Sequence, residues 1–385
     1  MTYRVGIIGT GSDPDETDRD GYAMAYRHAD GYRRLEDCSL VACADVVPEN
    51  AAAFADHNDL DLVYEDHETM LSDAEPDVVS VCVPPAAHAD LVCDAARAAT
   101  VDAVHCEKPM ATTWADCRRM VETCRDADVQ LTIDHQRRFA NPVREAKGLL
   151  DDGAIGELRR LEWSEVNLFD AGSHCFDLCD FLTEGEPVEW VLAGLDCDAE
   201  NRWFGTLNET RAIAQWRYAD GTMGFASTAE SGATLVDAYL RLVGTDGEME
   251  IQSDAGPPLR IRTDGGWRAV GTGSEDIYGP SFGLGRAVAG KVARLLPGTP
   301  EAFVDPPTHY EQAIEHLVDA LATGEEPLIS GRRALRGTEL VFASWESTRR
   351  RGRVELPLEI DDNPLEAMIE AGTLGDLPRE LDSED

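Results

Sequence analysis

The stretch YRVGIIGTG, residues 3–11, decides the fold of the first third of the chain. A short, mostly apolar run enters Gly9-Thr10-Gly11, which is how a phosphate-cradling turn between a strand and a helix begins. The full G-x-G-x-x-G pattern is not completed, because Pro14 stands where the third glycine belongs. Asp13, Asp15, Glu16, Asp18 and Asp20 follow, so the turn opens into a lengthened acidic loop, and the helix is expected to start only near Gly21. These acids are expected to face solvent, away from the Gly9-Gly11 backbone. A cation site there is the weaker reading, since acids are dense along the whole chain.

Further apolar runs follow at 39–45 (SLVACAD), 77–83 (DVVSVCV), 103–107 (AVHCE) and 129–134 (VQLTID), with helical stretches at 86–99 and 113–127 between them. Apolar strands alternating with helices predict an α/β domain over residues 1–134 built on a parallel sheet covered on both faces. Beyond 134 the texture changes. Helix-like sequence at 141–153 leads to strand-like sequence at 155–169, then a short helical segment, SHCFDLCDFL (173–182). Long strand-like pieces at 211–231 and 238–252 carry the hairpin signals YADGT and GTDGE. Helices return at 308–323 and 332–349, after a Gly/Pro-rich stretch at 271–305 read as loop. This predicts an α+β second domain, 135–360, with an antiparallel sheet and helices on one side. An acidic, partly mobile tail is expected over 361–385. No internal repeat is present.

Composition narrows the function classes. The formal net charge is -40, and of 34 basic residues only Lys108, Lys147 and Lys291 are lysines. A field of this sign repels phosphate, so nucleic acid is not expected as a partner. Self-repulsion on this scale needs screening, and at ~1 M salt the Debye length falls to about 3 Å. The composition is therefore read as adaptation to a salt-saturated cytoplasm, that of a halophile. No apolar run is long enough to span a membrane. Strand-like sequence from Tyr3 leaves no room for a signal peptide, so a cytoplasmic location is expected. The ten cysteines lack C-x-x-C pairs and are read as small buried hydrophobes in a reducing compartment.

Several residues could carry chemistry. Asp45 ends the second strand, where a carboxylate can accept both hydroxyls of an adenosine ribose; no arginine follows to hold a 2′-phosphate, so NAD is favoured over NADP. Val83, Pro84, Pro85 and His88, in VCVPPAAH (81–88), form a rigid strand end of the kind at which ligands sit in open α/β sheets. Glu107 and Lys108, in CEKPM (106–110), end the next strand. A lysine kept in an arginine-rich protein points to a role needing a compact donor of tunable pKa. In DAGSHCFDL (170–178), Asp170, His174 and Asp177 share one face if helical, and a carboxylate beside an imidazole suits a general base. Metal ligation by Asp170 and His174, with Cys175 or Cys179, lacks a well-placed third ligand, so no metal is expected.

Together these segments resemble the glucose-fructose oxidoreductase / inositol dehydrogenase / rhizopine catabolism (Gfo/Idh/MocA) family. VGIIGTG, VACAD, VCVPPAAH, CEKPM, RRFANP, GAIGELRRLEW, DAGSHCFDL and the segment from Tyr310 to Leu358 carry the likeness, and the pairing of Glu-Lys-Pro with Asp-x-x-x-His is its specific part. The resemblance implies that the first domain is a doubly wound, dinucleotide-binding Rossmann domain and that the sheet of the second is open and mostly antiparallel. It also implies a cofactor edge of Gly9, Thr10, Gly11, Ser12, Asp45, the Val83–His88 turn, Glu107 and Lys108. Lys108 would lie near the nicotinamide and substrate, His174 would be the acid/base, and Asp170 its partner. Arg137 and Arg138 would line the substrate pocket. The implied activity is NAD-dependent hydride transfer at a secondary alcohol of a sugar, cyclitol or related polyol. NAD-dependent glycoside hydrolysis or another redox-neutral reaction on the same residues, and a non-catalytic NAD-binding sensor, are the alternatives. A homodimer or homotetramer through the C-terminal sheet is expected, from a haloarchaeal source. The lengthened Gly9–Gly21 loop and the short Trp163–Asp170 stretch depart from the family pattern.

Overall fold

The computed structural model describes residues 2–12, 14, 23–197, 200–229, 234–253, 256–273, 275–280 and 307–374. The five acids of the Gly9–Gly21 loop and most of the Gly/Pro-rich stretch fall outside this range.

The first domain is a six-stranded parallel sheet in the order β3-β2-β1-β4-β5-β6. Its strands are β1 (Tyr3–Ile8), β2 (Cys38–Ala44), β3 (Leu62–Tyr64), β4 (Val78–Val81), β5 (Ala103–Cys106) and β6 (Gln130–Ile133). All four residues of β4 and of β5 are buried, as expected of strands covered on both faces. The covering helices are α1 (Met24–Arg33), α2 (Pro48–Asn58), α3 (His67–Ala74), α4 (Pro85–Arg97) and α5 (Trp114–Asp126). Their starts follow local rules. Asp66 and Thr113 accept from backbone N–H groups three residues on, while Pro48 and Pro85 open α2 and α4. The edge strand β3 has no counterpart in the sequence reading; it is three residues long and half exposed. The expected order of a doubly wound sheet puts its ligand crevice at the carboxyl ends of β1 and β4, where the strand order reverses.

A short 3₁₀ turn (Gln136–Phe139) and α6 (Asn141–Asp151) lead into the second domain. There β7 (Leu158–Glu165), α7 (Gly172–Leu182) and β8 (Val188–Asp196) are followed by a small ribbon, β9 (Arg202–Trp203) with β10 (Thr206–Leu207). Next come β11 (Arg211–Tyr218), β12 (Met223–Ala229), β13 (Ala238–Gly244), β14 (Glu248–Ser253), β15 (Leu259–Thr263) and β16 (Gly266–Ala269), then the ribbon β17 (Glu275–Asp276) with β18 (Gly279–Pro280). The chain ends with α8 (His309–Thr323), α9 (Gly331–Arg350), β19 (Val354–Glu355) and α10 (Pro364–Glu370). The large sheet runs β16-β15-β14-β13-β7-β12-β11-β8-β19 and is antiparallel except for β12 with β7. Both Asp-Gly hairpins form as read, β11–β12 and β13–β14. Along β11, Ala212, Ala214, Trp216 and Tyr218 point to the buried face. Trp163, Phe176 and Trp216 pack ring on ring between that face and α7, and Phe342 meets Trp345 on α9.

The two domains are bound by the returning chain. Helix α8 packs on α1, with Ile314 against Gly31, and Ile329 O accepts from Ile133 N at the edge of the parallel sheet. The acidic tail is ordered further than expected. Asn363 caps α10 and Pro364 opens it, Leu365 is fully buried, and the carbonyls of Asp361 and Asp362 accept from Ala115 and Trp114. All ten cysteines are free, eight of them buried. Among the described residues no helix is long and apolar enough to cross a membrane.

Candidate active site

The crevice begins at the end of β1. Gly9 has φ +82°, and a Cβ there would lie 2.3 Å from Val83 Cγ1 and 2.9 Å from Cys82 O, so only glycine lets the turn pass β4. Gly11 has φ +63°, yet a Cβ on it would meet nothing within 4 Å. That open approach to backbone is the feature a pyrophosphate needs, and it fits the nucleotide to this edge. Asp45 closes the turn: its Oδ2 accepts from Thr10 N (2.8 Å), Thr10 Oγ1 (3.0 Å) and Gly11 N (3.1 Å), and its Oδ1 from Val47 N (2.8 Å). Oδ1 keeps lone-pair capacity toward a ribose hydroxyl. Ser12, Val83 and Pro84 are accessible along the same rim, whereas Pro85 is buried at the start of α4.

Two of the residues expected to hold cofactor do something else. His88 is fully buried, with Nδ1 2.8 Å from Pro109 O and Nε2 2.8 Å from Val83 O. It ties the ends of β4 and β5 together from below. Glu107 is 8% exposed, and its Oε1 lies 3.0 Å from His28 Nε2. Its carboxylate points inward, and only its neighbour Lys108 reaches the crevice.

Lys108 crosses between domains. Its Nζ donates to Asp170 Oδ1 at 3.0 Å and to Asp170 O at 3.1 Å, leaving one N–H for another acceptor. Asp170 is held in a loop ahead of α7: its own N–H donates to Asn208 Oδ1 (3.2 Å), Leu168 N donates to Glu209 Oε1 (2.6 Å), and Ala171 N donates to Asn167 Oδ1 (2.9 Å). The helix starts at Gly172, so Asp170 does not share a helical face with His174 and Asp177. Among the described residues no hydrogen bond joins Asp170 to His174; the carboxylate serves the lysine instead.

His174 lies in the first turn of α7, 3% exposed, with its ring edge-on to His135 at 5.5 Å between centroids. Its Nδ1 is buried without a protein partner. Burial, and then the nearby Arg137 and Lys108 charges, hold its pKa well below the ordinary histidine range. The imidazole is neutral near pH 7 and can accept a proton. The same shift has a thermodynamic consequence. Below about pH 6.5 the unfolded chain protonates this histidine while the folded chain does not, so its contribution to stability is lost as pH falls. His135, also buried and shifted down, acts in the same direction. Thermal unfolding of His174→Gln is expected to be less sensitive to acidification from about pH 7 to about pH 5 than that of the native chain; equal sensitivity would remove this assignment.

The adjacent arginines part company. Arg137 Nη1 donates to Tyr239 Oη at 2.6 Å and approaches Glu165 Oε1 at 3.4 Å, with the guanidinium over the Tyr239 and Tyr278 rings. It stays partly accessible beside His174. Arg138 is 1% exposed, donates to Asp177 through Nε and Nη2 at 2.7 Å each, and reaches Leu328 O and Asp180. It is therefore no pocket residue but a buried strut between the 3₁₀ turn and α7. Removing it would leave the buried Asp177 without its cation, while Asp180 keeps Arg336 at 2.5 Å, so Arg138→Met is expected to cost about 3–5 kcal/mol. A thermal midpoint in molar KCl close to the native one would refute this. Tyr239, Tyr278 and Glu165 surround Arg137, and His135 packs on His174; none of the four was anticipated, and the alternation of β13, which turns Leu240 and Leu242 to the core, gave no signal for Tyr239.

A Rossmann domain whose strand-end lysine meets a carboxylate beside a neutral imidazole on a second, sheet-built domain defines a class: two-domain oxidoreductases that work at an interdomain crevice. The chain belongs to the Gfo/Idh/MocA oxidoreductase family. Residues 3–135 match its NAD-binding Rossmann fold and residues 159–356 its C-terminal alpha/beta domain. It is similar to myo-inositol 2-dehydrogenase of Thermotoga maritima, 23% identical over 368 residues that cover 92% of this chain and 98% of the relative. It is 27% identical to D-apiose dehydrogenase of Rhizobium rhizogenes over 339 residues, 85% of this chain and 92% of that one. An oxidoreductase from Agrobacterium radiobacter, crystallised with NAD+, L-tartaric acid and magnesium, shares the fold at TM-score 0.71 and 20% identity, over 92% of this chain and 98% of that one.

Proposed function

We propose that the protein is an NAD-dependent dehydrogenase that moves a hydride between nicotinamide and a secondary alcohol of a sugar, cyclitol or related polyol. The observation that carries this reading is the meeting of Lys108 Nζ with Asp170 across the interdomain crevice, beside the buried, neutral His174. Bound at the Gly9–Gly11 edge, NAD supplies the hydride acceptor. The chain's own residues do the rest. His174 takes the proton of the reacting hydroxyl, for which its depressed pKa keeps it ready. Lys108 gives its remaining N–H to the oxygen as negative charge develops there. Asp170 fixes the ammonium through its Oδ1 and its backbone carbonyl. Arg137, set between Tyr239 and Glu165, presents donors to further hydroxyls of a polyol.

Asp45 favours NAD over NADP, because a 2′-phosphate would meet its carboxylate and no nearby cation. Asp45→Ala is expected to weaken NAD+ binding by about tenfold, the equivalent of a charge-assisted hydrogen bond or so; unchanged affinity by titration calorimetry would exclude Asp45 from the ribose site. The exposed Leu192 and Ile213 on the outer face of the large sheet support a homodimer or homotetramer through that sheet. The net charge of -40 supports a halophilic, haloarchaeal origin and a salt-saturated cytoplasm as the working medium. The function is tested with a panel of sugars and cyclitols in molar KCl. Net NADH formation with a polyol supports it. Sugar release without net NADH would assign a redox-neutral reaction, and NAD binding without turnover of any polyol a sensor.

A further inference from the structure

Directly beneath the Glu107–Lys108 strand end, four side chains from separate parts of the Rossmann domain converge. They are His28 on α1, His105 on β5, Glu107 just after it and Asp134 just after β6. His28, His105 and Asp134 are at most 2% exposed. His28 Nε2 lies 3.0 Å from Glu107 Oε1 and 3.6 Å from Asp134 Oδ2, and His105 Nε2 lies 3.8 Å from Asp134 Oδ1. The ligating atoms of His28, His105 and Asp134 all fall within 4.8 Å of one another.

The outer ring nitrogens are engaged elsewhere. His28 Nδ1 meets Ser80 Oγ at 3.2 Å, which in turn meets Tyr32 Oη at 3.0 Å. His105 Nδ1 meets Thr132 Oγ1 at 2.9 Å, and that hydroxyl donates to Val104 O. Thr132 therefore accepts from His105 Nδ1–H, which leaves His105 Nε2 as a bare lone pair. That nitrogen and Asp134 Oδ1 face each other fully buried, and neither has a hydrogen-bond partner. Two acceptors opposed in a low-dielectric interior are costly unless something positive lies between them. A metal-ligating histidine with its second nitrogen fixed by a hydrogen bond shows this same arrangement.

We propose that His28, His105 and Asp134, with Glu107 beside His28, form a buried binding site for a divalent transition-metal ion of the Zn²⁺ type. Zinc bonds of about 2.0–2.2 Å to nitrogen and oxygen set tetrahedral ligand atoms about 3.3–3.6 Å apart; Asp134 Oδ2 lies 3.6 Å from His28 Nε2, Asp134 Oδ1 lies 3.8 Å from His105 Nε2, and the three groups fall within 4.8 Å of one another. The ion would take the place of the proton that His28 shares with its carboxylate neighbours, and a mixed set of imidazole nitrogen and carboxylate oxygen suits zinc better than the all-oxygen cations. The ion would pin α1, β5 and β6 together under the lysine, which gives it a structural role. The proposal does not depend on the dehydrogenase reading.

The test uses untagged, full-length protein in molar KCl, stripped of loosely held ions on a chelating resin. The expected result is about one zinc per chain by elemental analysis, and, after zinc removal, uptake of about one Co²⁺ with the visible absorption of a four-coordinate nitrogen-containing site. Adding Zn²⁺ should bleach that colour and raise the thermal midpoint. His105→Gln and Asp134→Asn should lose the ion, or fail to fold while the native chain still gives the cobalt spectrum; either outcome supports the site. Folded native protein that carries no metal and takes up neither Zn²⁺ nor Co²⁺ overturns it. So does ion uptake that folded His105→Gln and Asp134→Asn retain, which would assign the ion to surface acids such as those beside His67.

Discussion

Lys108→Met should leave NAD+ bound with near-native affinity and lower kcat by about 10²–10³-fold, the loss typical of removing one preorganised donor from a developing oxyanion. Methionine keeps the length and apolar stem of lysine but offers no N–H. Asp170 then loses the partner it holds at 3.0 Å, so part of the loss will come from a carboxylate free to repel the developing alkoxide. Lys108→Arg should rescue little. The guanidinium is broader and planar, and its fork cannot bond both Asp170 Oδ1 and Asp170 O while aiming a donor at the same substrate oxygen. Steady-state kinetics with NAD+ binding measured separately checks both variants. Loss of NAD+ affinity with unchanged kcat would move Lys108 from chemistry to cofactor binding.

His174→Ala should be the other severe variant, with turnover reduced about 10²–10⁴-fold by loss of the general base. Its signature is the pH profile. Burial and the Arg137 and Lys108 charges push the His174 pKa down, so the native enzyme should keep its polyol-oxidising activity at pH values where an ordinary histidine is already charged. The activity should then fall on the acid side as His174 protonates. In His174→Ala the residual rate should lack that acidic limb and rise with pH, as hydroxide or water replaces the base. A variant that is slower yet keeps the native acidic limb would mean that another group, His135 being nearest, is the base.

The parallel half of the fold was readable because strands buried on both faces leave continuous apolar runs, and β1, β2, β4, β5 and β6 all do. The edge strand β3 leaves no such run, since water takes one side of it and three residues carry little pattern. Lys108, Asp170 and His174 were legible as residues, but their pairing was not. That pairing depends on where α7 begins, and two residues of delay turn Asp170 toward the lysine and away from the imidazole. Arg137 and Arg138 stand side by side in the sequence, yet a 3₁₀ turn points one at the pocket and the other into the interior against Asp177. The α10 start, Asn363-Pro364, carried a clear cap signal that the acidic composition of the tail obscured. The His28–His105–Asp134 cluster had no local spacing to announce it, because its members come from three elements far apart in sequence and meet only through the sheet order.

The most direct measurement of the central claim, that a lysine from one domain and an imidazole from the other act on a single carbinol carbon, is the transfer of deuterium from a C-deuterated polyol to NAD+ by the native, Lys108→Met and His174→Ala proteins in molar KCl. The predicted result is labelled NADH from the native protein, with the label at the nicotinamide, and near-background transfer from both variants despite retained NAD+ binding. Label transfer at native rates by either variant, or none by the native protein with any sugar or cyclitol offered, would contradict it.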